Sequence, residues 1–138
     1  MRPKEAIVRV ELLSDLPENA VDELVQRGAG FSFKPDRVIV QQGSKDSGLQ
    51  LVLEGSAAVL VNDVPRGTVT EGDYFGEMSL LDGAPRSATV VAGPDGAKTF
   101  TVSPLVFSEL LDKYPGMARS LLSTLTARIR SLEASLES

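Results

Sequence analysis

Histidine and cysteine are both absent from this 138-residue chain. Without cysteine there can be no disulfide and no thiol nucleophile; without histidine there is no Ser-His triad and no ordinary zinc or iron site. Carboxylates are the only strong metal ligands left, so the chemistry open to the chain is mainly binding, and no catalytic residue and no metal ligand is assigned. Long apolar runs are lacking too. None approaches the roughly 18 residues of a membrane span, which predicts a soluble protein with no membrane insertion. Positive charge is in deficit, with 14 lysines and arginines against 19 acids and a net charge of −5. Binding to nucleic acid draws on a positive surface that releases counterions, so DNA and RNA are not expected partners. The opening stretch "MRPKEAIVRVELLSDLPENA" carries charges where a secretory signal needs an unbroken apolar segment. The expected compartment is the cytoplasm.

What remains is an ordinary globular composition, 42% hydrophobic and 24% charged, at a length that suits one compact domain. "SDLPENAVDELVQRG" reads as a short helix. Pro17 fits its first turn, Ala20, Val21, Leu24 and Val25 share one face, and Gly28 suits the exit. From Phe31 to Val102 short β-branched runs alternate with glycine or proline, which predicts a small barrel or roll, with "NDVPRG" and "GPDG" as turns. Helical spacing returns at "SPLVFSELLDKYP", with Ser103 as N-cap and Pro104 as first helical residue, and resumes after Pro115. In that last segment Ala118, Leu122, Leu125, Ile129, Leu132 and Leu136 recur at spacings of four and three. They form one apolar seam, which either packs on the chain's own barrel or pairs with a second copy.

The chemically distinctive stretch is "FGEMSLLDGAPRSATV", residues 75–90. Gly76 opens about one helical turn, "EMSLLD", whose first backbone N–H groups have no intrahelical acceptor and can face an anion that glycine lets approach. Arg86, just before the strand "SATVVA", places a permanently charged planar fork opposite those groups. Glu77 would repel a bare phosphate. A carboxylate accepts hydrogen bonds, so a hydroxyl such as that of a ribose is its natural partner, and sugar with phosphate implies a nucleotide. The plainer alternatives are that Glu77 only complements the helix dipole and that Arg86 is an ordinary surface ion-pair partner.

This run resembles the phosphate-binding cassette of the cyclic nucleotide-binding domain family: Phe-Gly-Glu, two apolar residues, then Pro-Arg-x-Ala-Thr-Val. The likeness extends over almost the whole chain, with "LPENAVDEL" similar to the family's opening helix, "VIVQQGS" and "LQLVLEGSAAV" to its early strands, and the last two helices to its B and C helices. It implies a mainly β fold with flanking helices, a cyclic nucleotide-binding β-roll. One domain would fill residues 1–138: an N-terminal helical segment over 1–30, the roll over 31–103 and C-terminal helices over 104–138.

Carried over position by position, Gly76 and Glu77 contact the ribose, Glu77 at the 2′-hydroxyl. The amides near Met78 and Ser79 and the side chain of Arg86 hold the cyclic phosphate, and Ser87 and Ala88 complete that end. Phe75 and Pro85 belong to the same motif. The base site would combine apolar strand residues with a cap from the last helix, for which Arg128 is the candidate, with Thr124 and Thr126 behind it. A solvated helix face is the alternative for Arg128. Family members that prefer cGMP often carry threonine after the arginine, and kinase regulatory domains that prefer cAMP often carry alanine. Ser87 is intermediate, but "PRSATV" runs are similar to those of bacterial channel domains and of cAMP-responsive activators, so the expected ligand is cAMP, with cGMP as the alternative. The resemblance implies a regulatory, non-enzymatic sensor that signals through its C-terminal helix, with a homodimer through that helix as one arrangement. The segment after the last helix is too short for the DNA-binding output domain of bacterial activators and no kinase or channel segment precedes the roll, so the expectation is either a sensor domain cut from a larger protein or a small stand-alone protein whose effector is separate. The other readings are a degenerate domain acting as a dimerisation or docking module, and a cupin-type metal enzyme, whose histidines this chain lacks.

Overall fold

A computed structural model describes residues 1–45 and 48–137. The chain opens with α1 (Pro3–Ile7), a 3-10 turn (Glu11–Leu13) and α2 (Glu18–Arg27). Helix α2 has Gly28 at its exit and buries Ala20, Val21 and Leu24, as expected from the sequence, but Pro17 is its N-cap and not part of its first turn, and Val25 is only partly covered. The short α1 was not anticipated. Its local start signals are Pro3 at the first helical position and Glu5 in the first turn, and its inner face buries Ala6 and Ile7 against the core.

Six strands follow among the described residues: β1 (Ala29–Phe33), β2 (Val38–Val40), β3 (Leu49–Val61), β4 (Val64–Thr70), β5 (Tyr74–Phe75) and β6 (Thr89–Val102). All pairings are antiparallel, in the order β1-β6-β3-β4, with β2 also on β6 and β5 on β3. The two long strands β3 and β6 run the full depth of the roll. Leu49–Val52 pair with Thr99–Val102 at one end, and Ala57–Leu60 pair with Thr89–Ala92 at the other, with register breaks between. At the break Gly55 has φ +80°, and a Cβ there would collide with the Gly96 carbonyl, so glycine is what lets both strands bend past each other.

Two expected turns therefore need correction. "GPDG" is a bend inside β6, and Pro65, Arg66 and Gly67 of "NDVPRG" lie in β4, where only Asn62 and Asp63, both at positive φ, form the hairpin turn. Proline and glycine mark bulges and edge strands as well as turns, and β4 is an edge strand.

After β5 comes α3 (Glu77–Asp82), and after β6 come α4 (Pro104–Lys113) and α5 (Pro115–Glu137). Ser103 caps α4 as expected, its hydroxyl accepting from the Val106 N–H at 3.2 Å. The main core joins α1, α2 and α4 to the first half of β3 and the second half of β6, through Ile7, Leu24, Leu49, Leu51, Val102 and Leu110. Helix α5 starts on this core through the buried Met117 and then leaves it: Leu122, Ile129, Leu132 and Leu136 are 57–88% exposed. Among the described residues no helix is long and apolar enough to cross a membrane.

Candidate functional site

The other half of the roll is thinly filled. Among the described residues its buried cluster is Val40, Ala57 and Val90, with Ile39, Val59, Val69 and Phe75 partly covered around it. Beside this cluster lies a cavity of about 170 Å³, walled by Val40, Val59 and Val90 on the sheet side and by Gly76, Ser79 and Arg86 on the other. A second hollow of about 210 Å³ continues it outward past Glu77 and Met78, and Phe75, Gly76, Ser79 and Ser87 line both.

Short-range chemistry explains the shape of the wall. Gly76 sits at the N-cap of α3 with φ +81°, left-handed backbone that favours glycine. A Cβ at this position would land on the Arg86 guanidinium and within 2.5 Å of the Gly48 carbonyl oxygen. The first intrahelical bond of α3 runs from the Leu80 N–H to the Gly76 carbonyl at 3.3 Å, so the amides of Glu77, Met78 and Ser79 precede the helical ladder. Arg86 is 5% exposed, and its Nη1 donates to the Gly48 carbonyl at 2.7 Å. Its main chain is held on both sides: the Arg86 N–H donates to Ser44 O at 2.9 Å and its carbonyl accepts from the Gly43 N–H at 2.8 Å. Thr89 extends this clamp, its hydroxyl accepting from the Gln42 N–H at 2.9 Å. The guanidinium is thus enclosed behind Gly76 rather than in bulk water, and the space beside α3 is open.

Of the residues singled out from the sequence, Phe75, Gly76, Glu77, Met78, Ser79, Arg86, Ser87 and Ala88 line these two hollows. Pro85 is exposed and lines neither. Arg128 lines neither as well. Its Nη2 lies 3.1 Å from Glu77 Oε1 and 3.0 Å from Glu11 Oε2, and its Nη1 reaches the Met78 sulfur at 3.9 Å. The hydrogen bond to Glu11 is the main reason the Arg128 pKa stands above its ordinary value, and the Glu77 charge adds to it. Arg128 therefore meets the acid at the mouth, not the apolar wall. Thr126 does not back it up: its hydroxyl donates to the Leu122 carbonyl of its own helix at 2.8 Å.

Sequence reasoning anticipated apolar strand residues at the site but did not single out Val40, Val59 and Val90. Alternation in β2, β3 and β6 is the signal that could have found them, since one face of each strand must point inward. It also missed Gly48 and Glu11. No local pattern marks either one, because Glu11 and Arg128 lie 117 positions apart.

The chain as a whole is similar to several known proteins. The family model for the cyclic nucleotide-binding domain matches residues 31–114. A cGMP-dependent protein kinase of Toxoplasma gondii is 32% identical over 112 residues, 81% of this chain and 10% of that protein. A cAMP-dependent protein kinase regulatory subunit of Hypocrea atroviridis is 34% identical over 87 residues, 63% of this chain and 19% of that protein. The chain thus spans a fifth or less of these relatives. In fold, it superposes on the N-terminal domain of a transcriptional regulator from Streptomyces coelicolor A3(2) with a TM-score of 0.83, at 22% identity, covering 95% of this chain and 94% of that one.

Proposed function

The chain belongs to the cyclic nucleotide-binding domain family, and we propose that it is a non-catalytic cytoplasmic sensor domain whose ligand is cAMP. The observation that carries this reading is the buried Arg86, whose guanidinium stands behind Gly76 at an unfilled cavity. A buried cation facing a hollow favours an anion there, because charge-assisted hydrogen bonds strengthen where water is scarce. Arg86 and the amides near Met78 and Ser79 hold the cyclic phosphate, with Ser87 and Ala88 at its edge. Gly76 and Glu77 take the ribose. The purine lies against Val40, Val59 and Val90, an apolar wall suited to a flat ring.

Helix α5 is the transmitting element. A ligand moves a conformational equilibrium only by its preference for one arrangement, and α5 touches the site through Arg128 on Glu77. The apolar seam beyond it stays exposed along Leu122, Ile129, Leu132 and Leu136. Its heptad spacing suits pairing with a second copy, so α5 carries the signal to a homodimer interface or to an effector in another module.

Calorimetric titration with cAMP and cGMP, alongside molecular mass with and without nucleotide, tests the reading. Saturable binding with the tighter affinity for cAMP is expected. No heat and no thermal shift at millimolar concentrations of either nucleotide would overturn it in favour of a docking module, the second reading that the exposed seam supports.

A further inference from the structure

The Arg128 guanidinium stands between two carboxylates that are 66 positions apart in the chain, Glu11 and Glu77. Glu11, in the 3-10 turn, accepts from Nε at 3.3 Å and from Nη2 at 3.0 Å through a single oxygen, Oε2. Glu77, at the start of α3, meets the same Nη2 with both oxygens, Oε1 at 3.1 Å and Oε2 at 3.3 Å. One nitrogen is thus shared by two acids. Glu77 is the more enclosed of the two, its side chain 19% exposed against 55% for Glu11.

On the reading above, the oxygens of Glu77 are what a ribose hydroxyl needs, so the sugar and Arg128 compete for the same lone pairs. Taking Glu77 away from an arginine that had no other acid would leave a partly enclosed cation short of a counter-charge. Glu11 removes that penalty. We propose that Glu11 is a positioning residue of the nucleotide site: it keeps Arg128 compensated while Glu77 turns toward the ribose 2′-hydroxyl, and it holds α5 beside the mouth of the site as that exchange takes place. The inference rests on the assignment of Glu77 to the sugar.

The plainer alternative is that the Glu11–Arg128 pair only staples the 3-10 turn to α5. The two differ in what they make of one hydroxyl group. Glu11→Gln should weaken cAMP binding about two- to fivefold, the range for a solvent-accessible ion pair, and leave 2′-deoxy-cAMP binding unchanged. The ratio of the two affinities then shrinks by the same factor. A mere staple would weaken both ligands equally and preserve the ratio. Because Glu11 is mostly exposed and glutamine keeps its shape, the variant should fold.

Amide hydrogen exchange of the nucleotide-free protein supplies the second measurement. Glu11→Gln should speed exchange in residues 121–132 of α5; unchanged exchange overturns the claim that Glu11 holds the helix. Binding of cAMP by the wild type with an unchanged affinity ratio in the variant overturns the sugar role and leaves the functional reading standing. No binding of either nucleotide by the wild type overturns the functional reading and the sugar role together, while the exchange result still decides whether Glu11 anchors α5.

Discussion

The two ends of the roll share β3 and β6 but are filled in different ways. At the end that pairs Leu49–Val52 with Thr99–Val102, helices α1, α2 and α4 close over the sheet and leucines, valines and Phe100 are packed nearly free of solvent. At the end that pairs Ala57–Leu60 with Thr89–Ala92, no helix among the described residues fills the space between the sheet wall and α3; a hollow stands there, with a buried arginine at its edge. The difference separates two tasks that a single uniform core could not serve. Burial at the first end supplies stability, on the order of 1.5–3 kcal/mol for each large side chain removed from water. The second end forgoes such burial and holds a charge in place by main-chain bonds, from Gly48, Ser44 and Gly43, so that the hollow stays open without collapsing onto Arg86.

Substitution at Arg86 tests this division most severely. Truncating one partner of a buried charge pair costs roughly 2–5 kcal/mol, so Arg86→Ala should raise the Kd for cAMP by about thirtyfold to several thousandfold in calorimetric titration. Equal affinity in the variant would remove Arg86 from the site and leave the open end without a chemical reason. Paired truncations probe the packing side. Leu51→Ala, in the filled half, should lose about 2–5 kcal/mol of unfolding free energy in a urea titration, because a cavity replaces close contacts. Val59→Ala, on the wall of the existing hollow, should lose only about 1–2 kcal/mol, little more than the transfer of its methyl groups, and should shift the Kd instead. Similar losses at the two positions would mean that the halves are not differently built.

How much of this contrast could be read from the chain depended on whether the signal was local. Pro17, Gly28, Ser103 and Pro115 bracket α2, α4 and α5 correctly, because capping and proline restrictions act within a few residues. The "GEMSLLD" turn and Arg86 were also legible, since their chemistry lies in one stretch of sixteen residues. The continuity of β3 and β6 through their bends was not. Glycine and proline there are required by two strands crossing, a tertiary condition that looks the same in sequence as a turn. Nor could Arg128 be placed. Its helix neighbours mix polar and apolar residues, Thr124 and Ser131 with Leu125 and Leu132, and only the position of the 3-10 turn decides that it meets Glu11 and Glu77 and not the apolar wall.

A smaller change sharpens the assignment of the open half. Glu77→Gln removes the charge but leaves an acceptor oxygen, so cAMP binding should weaken by about 1–3 kcal/mol at most, well short of Arg86→Ala. The variant also weakens the hold on Arg128, which should show as faster amide exchange in α5 of the nucleotide-free protein. A loss in affinity as large as that of Arg86→Ala would place the acid, and not the arginine, at the centre of recognition.

The smallest effect belongs to the packed half and is read through pH. Glu23 of α2 takes hydrogen bonds from the Lys113 ammonium and, at 2.8 Å, from the Tyr114 hydroxyl, joining α2 to the end of α4. These bonds, that from Lys113 first, hold its carboxyl below the usual carboxylate range. A group whose folded pKa is depressed binds fewer protons in the native than in the unfolded state between the two values, so stability rises with pH across that window. The contribution of Glu23 is therefore complete above the ordinary glutamate value of about 4.3 and disappears as pH falls through the lower folded value. Thermal melts of the wild type and Glu23→Gln should differ by a small drop in Tm at pH 7, and the two should converge on acidification. The cAMP affinity of the variant at pH 7 should equal that of the wild type, because the pair braces the packed end and not the end with the cavity. A change in affinity there would show that α2 and α4 are mechanically coupled to the cavity, and the separation of stability from binding would fail at its weakest joint.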